Sequence, residues 1–147
     1  MIAALRGAVI EAVRRGEEEL KMYERLEGET EDEKLKDFLK FMAEDTKKDI
    51  HMLKHLNLHS IIKFGLHIKF EAPKIEIDET LIDGIKDKPA AREMLKIAID
   101  QINANIEYYD HIAEHSIFPE TKRLFRIISD KDLEDKSRLK ALYDLLE

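Results

Sequence analysis

Apolar residues recur at helical spacing along most of the chain, and the places where that rhythm breaks divide it into four long helices. From Ile2 to about Leu26 the apolar positions are Ile2, Leu5, Val9, Val13, Leu20, Tyr23 and Leu26, and the run stops at Gly28, a residue that favours a helix end. Thr30 followed three residues later by Glu33 has the form of a capping box, and a second run follows through Leu35, Phe38, Phe41, Met42, Met52, Leu53 and Leu56. A third run begins after Pro89 (Met94, Leu95, Ile97, Ala98, Ile99, Ile106, Tyr109, Ile112). The fourth begins after the break at Ser116 to Pro119 (Leu124, Phe125, Ile127, Ile128, Leu139, Leu142, Leu146). Pro119 suits a first helical turn, where its missing N–H costs no bond. The short breaks predict two helical hairpins.

A constant offset of 86 superposes the two hairpins without a gap: Val13 falls on Ile99, Leu20 on Ile106, Tyr23 on Tyr109, Phe38 on Leu124, Met42 on Ile128 and Leu53 on Leu139. One offset serves both helices and the loop between them, which points to an internal repeat. Between the hairpins the texture changes. Lys63 to Phe70 alternates polar and apolar, with Phe64, Leu66, Ile68 and Phe70 on one side, and Lys74 to Asp78 alternates again, so this stretch is expected to be partly extended. A connection of that length can travel the whole bundle and leave the second and third helices parallel. The expected fold is therefore an all-α four-helix bundle of two repeated hairpins in one domain, residues 1–147: hairpin 1 at about 1–57, crossover at about 58–88, hairpin 2 at about 89–147.

Composition narrows the function classes. With 32 acids against 25 bases, both signs interspersed, and a net charge of −7, the chain has no basic stripe for nucleic acid. No run approaches the ~20 apolar residues of a membrane span, and the first residues turn charged too early for a signal peptide, so a cytoplasmic protein is expected. The absence of cysteine excludes thiol catalysis, iron–sulfur clusters and four-Cys zinc sites. A charged fraction of 39% without Cys or Trp also suits a heat-adapted (thermophile) protein. No Ser-His-Asp arrangement, phosphate loop or nucleotide fingerprint is present.

The paired hairpins, together with Glu17-Glu18-Glu19-Leu20-Lys21-Met22-Tyr23 and Phe38-Leu39-Lys40-Phe41-Met42-Ala43-Glu44-Asp45, resemble the ferritin-like superfamily in its rubrerythrin branch. The resemblance implies a di-iron centre held by one inward Glu on each of the first and third helices and a Glu-x-x-His pair on each of the second and fourth. In that pattern the first- and third-helix ligands lie seven residues before an aromatic, which points from Tyr23 to Gly16 and from Tyr109 to Ile102, neither a ligand. The second helix carries Thr46-Lys47-Lys48-Asp49, and the offset places Asp132-Leu133-Glu134-Asp135 at the matching point of the fourth. No Glu-x-x-His occurs anywhere. The six ligands reduce to Asp49, Asp132 and Asp135, and Gly16 paired with Ile102 reads as a closed site, the larger residue filling room a metal would take.

Those aspartates call for one of three environments: a solvated face at a helix break around Ser129 to Asp132, neutralisation by Arg14, Arg15 or Lys131, or a divalent cation with waters. The solvated face is the expectation. His51, His55 and His59 on the second helix, and His111 with His115 on the third, have the spacing of a Zn or Cu face, but counting 100° per residue from Asp49 turns His51 outward, so surface histidines are expected. Tyr108 and Tyr109 read as packing residues. The resemblance and the missing ligands together imply a rubrerythrin-like bundle without di-iron chemistry, acting as a structural or interaction module, with no cofactor, a homodimer as its assembly and a partner that the sequence does not name. The alternatives are a di-iron oxidoreductase that scavenges peroxide or oxygen, with iron as cofactor, and a metal-binding protein using the histidines.

Overall fold

All four runs become helices in the computed structural model, which describes residues 2–70, 75–77 and 79–147. They are α1 (Ile2–Glu29), α2 (Glu33–Lys54), α5 (Lys88–His115) and α6 (Pro119–Leu145), with two short helices, α3 (Leu58–Phe64) and α4 (Glu79–Ile82), in the crossover. Among the described residues there is no strand. Shifted by 86, the bounds of α1 fall on those of α5, and the first residue of α2 falls on the first residue of α6.

Helix directions follow from which ends share a core. One apolar cluster joins Met22, Tyr23 and Leu26 of α1, Leu35 to Ala43 of α2, Leu95 to Ile106 of α5, and Leu139 and Leu142 of α6. The other joins Leu5, Val9 and Ala12 of α1, Leu53 of α2, Tyr109 and Ala113 of α5, and Leu124, Phe125 and Ile128 of α6. The starts of α2 and α5 thus lie at the same end, so these two helices run parallel, as a full-length crossover requires. Each helix contributes one stretch to each cluster, and burial of those stripes is the main force holding the bundle together.

The crossover belongs to that core. Ile61, Leu66 and Phe70 are buried in the second cluster, and Ile62 and Ile68 pack against it. The expected one-sided row starts one step late, because Phe64 is the last residue of α3 and stands 68% exposed. Gly65 ends that helix with φ of 88°, a left-handed conformation that favours glycine, and only after this turn does the alternation carry Leu66 and Phe70 inward. The backbone N–H of Leu66 donates to Glu120 Oε2 at 3.1 Å, fastening the crossover to the start of α6. Since the bundle itself covers most of these apolar side chains, a second copy is not needed to shield them. The alternation expected over Lys74 to Asp78 lies partly outside the described residues; Ile75 and Ile77 pack against the first cluster.

Two local expectations change. His59 sits on α3, because α2 ends at Lys54. The capping box does not form, since α2 begins at Glu33 with Asp32 as its cap residue. Thr30 Oγ1 instead accepts the N–H of Asp32, whose Oδ1 accepts the N–H of Lys86 at 2.8 Å, a tie between the first turn and the segment leading into α5. No described helix is long and apolar enough to cross a membrane.

Candidate functional site

Between the two apolar clusters every long helix turns a polar side chain inward. These are Glu19 on α1, Asp45, Thr46 and Asp49 on α2, Asn105 on α5, and Lys131, Asp132 and Asp135 on α6, all of them buried except Asp49, which is partly so. Spacings of three and four residues put Asp45 with Asp49, and Asp135 with both Asp132 and Lys131, on faces that carry leucine and isoleucine one or two turns away. Asn105 Nδ2 donates to Glu19 Oε1 at 2.6 Å, and Lys131 Nζ donates to Asp45 Oδ2 at 2.7 Å; both bonds join positions 86 apart.

Lys131 is the organising cation. Its ammonium lies 2.7 Å from both Asp45 and Asp49 and 3.5 Å from Asp135. Burial works against this charge, but the charges of Asp135 and Asp49 and the bonds that the ammonium donates to Asp45 and Asp49 outweigh it and hold Lys131 protonated well above the ordinary lysine value. Arg138 supplies a second cation, 2.8 Å from Asp135 and 3.6 Å from Asp45. Arg15 reaches the centre only through Asn105, donating to its Oδ1 at 2.9 Å while its guanidinium lies over the Tyr108 ring. That bond aims the amide nitrogen of Asn105 at Glu19.

The carboxylates form two groups that share Asp135. Asp45, Asp49 and Asp135 present oxygens within 4.8 Å of one another around the lysine, and Glu19, Asp132 and Asp135 do the same beside it. Among the described residues no basic side chain forms an ion pair with Glu19 or Asp132, and the two carboxyls hydrogen-bond each other, Asp132 donating. Burial therefore pushes the Glu19 carboxyl up to about 7, with its bonds from Asp132 and Asn105 pulling the other way, and pushes Asp132 well above the carboxylate range, helped by the facing Glu19. Five acids face only Lys131 and Arg138, and burial also pushes Asp49 up to about 7 and Asp135 up to about 6, so protons as well as cations neutralise this layer. A cavity of about 30 Å³ opens between the two groups, lined by Gly16, Glu19, Asp49, Tyr109, Lys131 and Asp132 among others. The Tyr23 hydroxyl is also buried without a partner, and burial raises its pKa, with Asp135 and Glu19 adding to the effect.

The structure corrects several sequence expectations here. Asp49, Asp132 and Asp135 do converge, but not on water: α6 runs unbroken through Ser129 to Asp132, and Asp132 and Asp135 are buried. Of the three basic residues considered as neutralisers, Lys131 does the work, while Arg14 is exposed and pairs with Glu11 and Glu18. The inward position of α1 is Glu19, one turn after Gly16, and that of α5 is Asn105, one turn after Ile102. The first helix thus offers a carboxylate after all. Gly16 is not matched by Ile102 but faces Ile50 of α2, whose Cγ1 would lie 3.0 Å from a Cβ placed on the glycine, and Ile102 is buried in the first apolar cluster.

Glu19 had a legible signal, because it continues the buried stripe Leu5, Val9, Ala12, Tyr23 and Leu26, where a charge is out of place. Asp45 and Lys131 had none in isolation, since each resembles the surface charges beside it. His51 and His55 are exposed, as are His111 and His115, and the rings in each pair lie 4.1 and 4.3 Å apart. None of them reaches the carboxylates. Tyr109 is core, packed against Phe125, with Tyr108 against both. No family model, curated protein or solved structure matches the chain.

Proposed function

We propose that this chain is a ferritin-like, rubrerythrin-related bundle in which an internal ion-pair network stands where the family resemblance implies a di-iron centre, and that it serves as a structural or interaction module. Three features support the kinship: helix bounds that repeat at an offset of 86, parallel α2 and α5 joined by a crossover, and contacts between positions 86 apart at the bundle centre. Two copies of a hairpin related by a twofold axis bring equivalent residues together at that axis.

The residues present do not fit two irons. The inward positions now read Glu19, Thr46 with Asp49, Asn105, and Asp132 with Asp135, so neither Glu-x-x-His pair survives and no imidazole reaches the site. The observation that carries the proposal is the Lys131 ammonium, 2.7 Å from Asp45 and from Asp49, because a fixed positive charge among those carboxylates repels a metal and satisfies the same oxygens. Anaerobic loading with ferrous iron followed by exposure to air tests the reading. Substoichiometric iron without oxo-bridged absorption, and no peroxidase activity, are expected. Two tightly held irons per chain, lost on Asp49→Ala or Asp135→Ala, would restore the oxidoreductase alternative.

A further inference from the structure

Four of the six histidines form two exposed pairs that are built alike. His51 lies in the last turn of α2 and His55 caps that helix, while His111 and His115 lie in the last turn of α5. In each pair the second ring places its Nδ1 against the backbone carbonyl of the first residue, at 2.8 Å for His55 and 2.9 Å for His115. From the pair on α5, we infer that His111 and His115 bind one Zn²⁺ or Cu²⁺ ion on the protein surface, with water completing its shell. This goes beyond the loss of di-iron chemistry, because the site shares no residue with the central network.

The first support is the state of the donor atom. A carbonyl oxygen only accepts, so Nδ1 of His115 carries the hydrogen, and in the neutral ring Nε2 keeps the lone pair that a metal takes. A backbone carbonyl that holds the other ring nitrogen is the support metal-ligating imidazoles usually have. The second is geometry. The rings of His111 and His115 lie 4.3 Å apart at 34°. Side-chain rotation alone can then bring one nitrogen of each to about 3.3 Å from the other, the edge of a tetrahedral shell with zinc–nitrogen bonds of about 2.0–2.1 Å.

The third is charge. His115 ends α5, where unpaired carbonyls favour a cation, and the exposed acids Glu107, Asp110 and Glu114 lie within one turn of His111. The pair on α2 has the same ring geometry, but its exposed neighbours are Lys47, Lys48 and Lys54, which repel a cation. The two pairs therefore differ in field rather than in shape, and the one on α5 binds first. Imidazole donors select Zn²⁺ or Cu²⁺ over Mg²⁺ or Ca²⁺.

The test titrates Zn²⁺ into the chelator-treated full chain, following the histidine ring C–H signals by nuclear magnetic resonance and bound zinc by equilibrium dialysis. Single His→Ala variants assign the signals, and since all four side chains are exposed, far-ultraviolet circular dichroism should show an unchanged helical fold. The first equivalent of Zn²⁺ should move the His111 and His115 signals together. Affinity should fall at least tenfold in His111→Ala and in His115→Ala, because even changes behind a metal ligand cost that much, while His51→Ala leaves the first binding step unchanged. No ring shift at millimolar Zn²⁺, a first equivalent that goes to His51 and His55, or binding that both α5 variants retain would each overturn the inference. Zinc here and iron at the centre involve different residues, so failure of this site leaves the ion-pair reading of the centre standing, and two bound irons would refute that reading alone.

Discussion

Lys131→Met isolates the charge at the bundle centre while keeping most of the side chain's volume. In the wild type the ammonium meets Asp45 and Asp49 at 2.7 Å and Asp135 at 3.5 Å, with the Lys131 side chain only 4% exposed. After the change Arg138 still reaches Asp135 at 2.8 Å and Asp45 at 3.6 Å, but Asp49 loses the only ion pair that it makes among the described residues. Removing one partner of a buried ion pair costs about 3–5 kcal/mol, and the lower end applies because Asp49 retains some contact with solvent. A loss of about 3 kcal/mol corresponds to a fall of roughly 6–12 °C in Tm for a chain of this size.

The pH dependence follows from the same contacts. The folded-state pKa of Lys131 is raised, so its own contribution is present below the unfolded lysine value and is flat through neutrality. What changes with pH is the fate of the carboxylates it leaves behind, which escape their penalty by taking up protons. The stability gap between variant and wild type should therefore narrow as pH falls from 7 toward 4. Urea unfolding at several pH values measures it, and adding Asp45→Asn with Asp49→Asn should recover most of the loss. A gap below about 1 kcal/mol at neutral pH, or one that widens on acidification, would show that Lys131 does not hold this layer together.

Three further outcomes are expected. The Glu19 carboxyl is raised from 4.5 to about 7, so the native chain binds a proton that the unfolded chain releases; in chelator, stability should decline as pH rises through that window, and Glu19→Gln should flatten the slope in Tm against pH. Tyr23→Phe removes a buried hydroxyl that has no partner, so its Tm should match or slightly exceed the wild type, and a loss above about 1 kcal/mol would reveal a bond to that oxygen. Leu66→Ala should cost about 2–5 kcal/mol in urea unfolding, as a helix-core leucine does, because Leu66 is fully buried although it lies outside the helices; a surface-like effect would detach the crossover from the core.

Much of the fold was legible because it depends on local rules. Apolar spacing, Pro89 and Pro119 placed the four long helices, and the offset of 86 read from side chains alone reappears in the bounds of α1 and α5. The ligand positions that the family resemblance implies, carried over by the same offset, singled out Asp49, Asp132 and Asp135, which the structure brings to one layer. The partner of those acids was not decided by sequence. Glu17, Glu18 and Glu19 are chemically alike, and although Glu19 falls on the apolar stripe of α1, only the packing of that helix against the bundle takes its carboxyl out of water and sets it against Asn105 and Asp132. Likewise, Lys131 follows Asp130 and precedes Asp132 like any surface charge, until the approach of α2 to α6 sets its ammonium between Asp45 and Asp49. Periodicity along the chain determines which residues share a helix face. The rotation of each helix about its axis, set by how whole apolar faces interlock, decides which charges are taken out of water and must therefore neutralise one another.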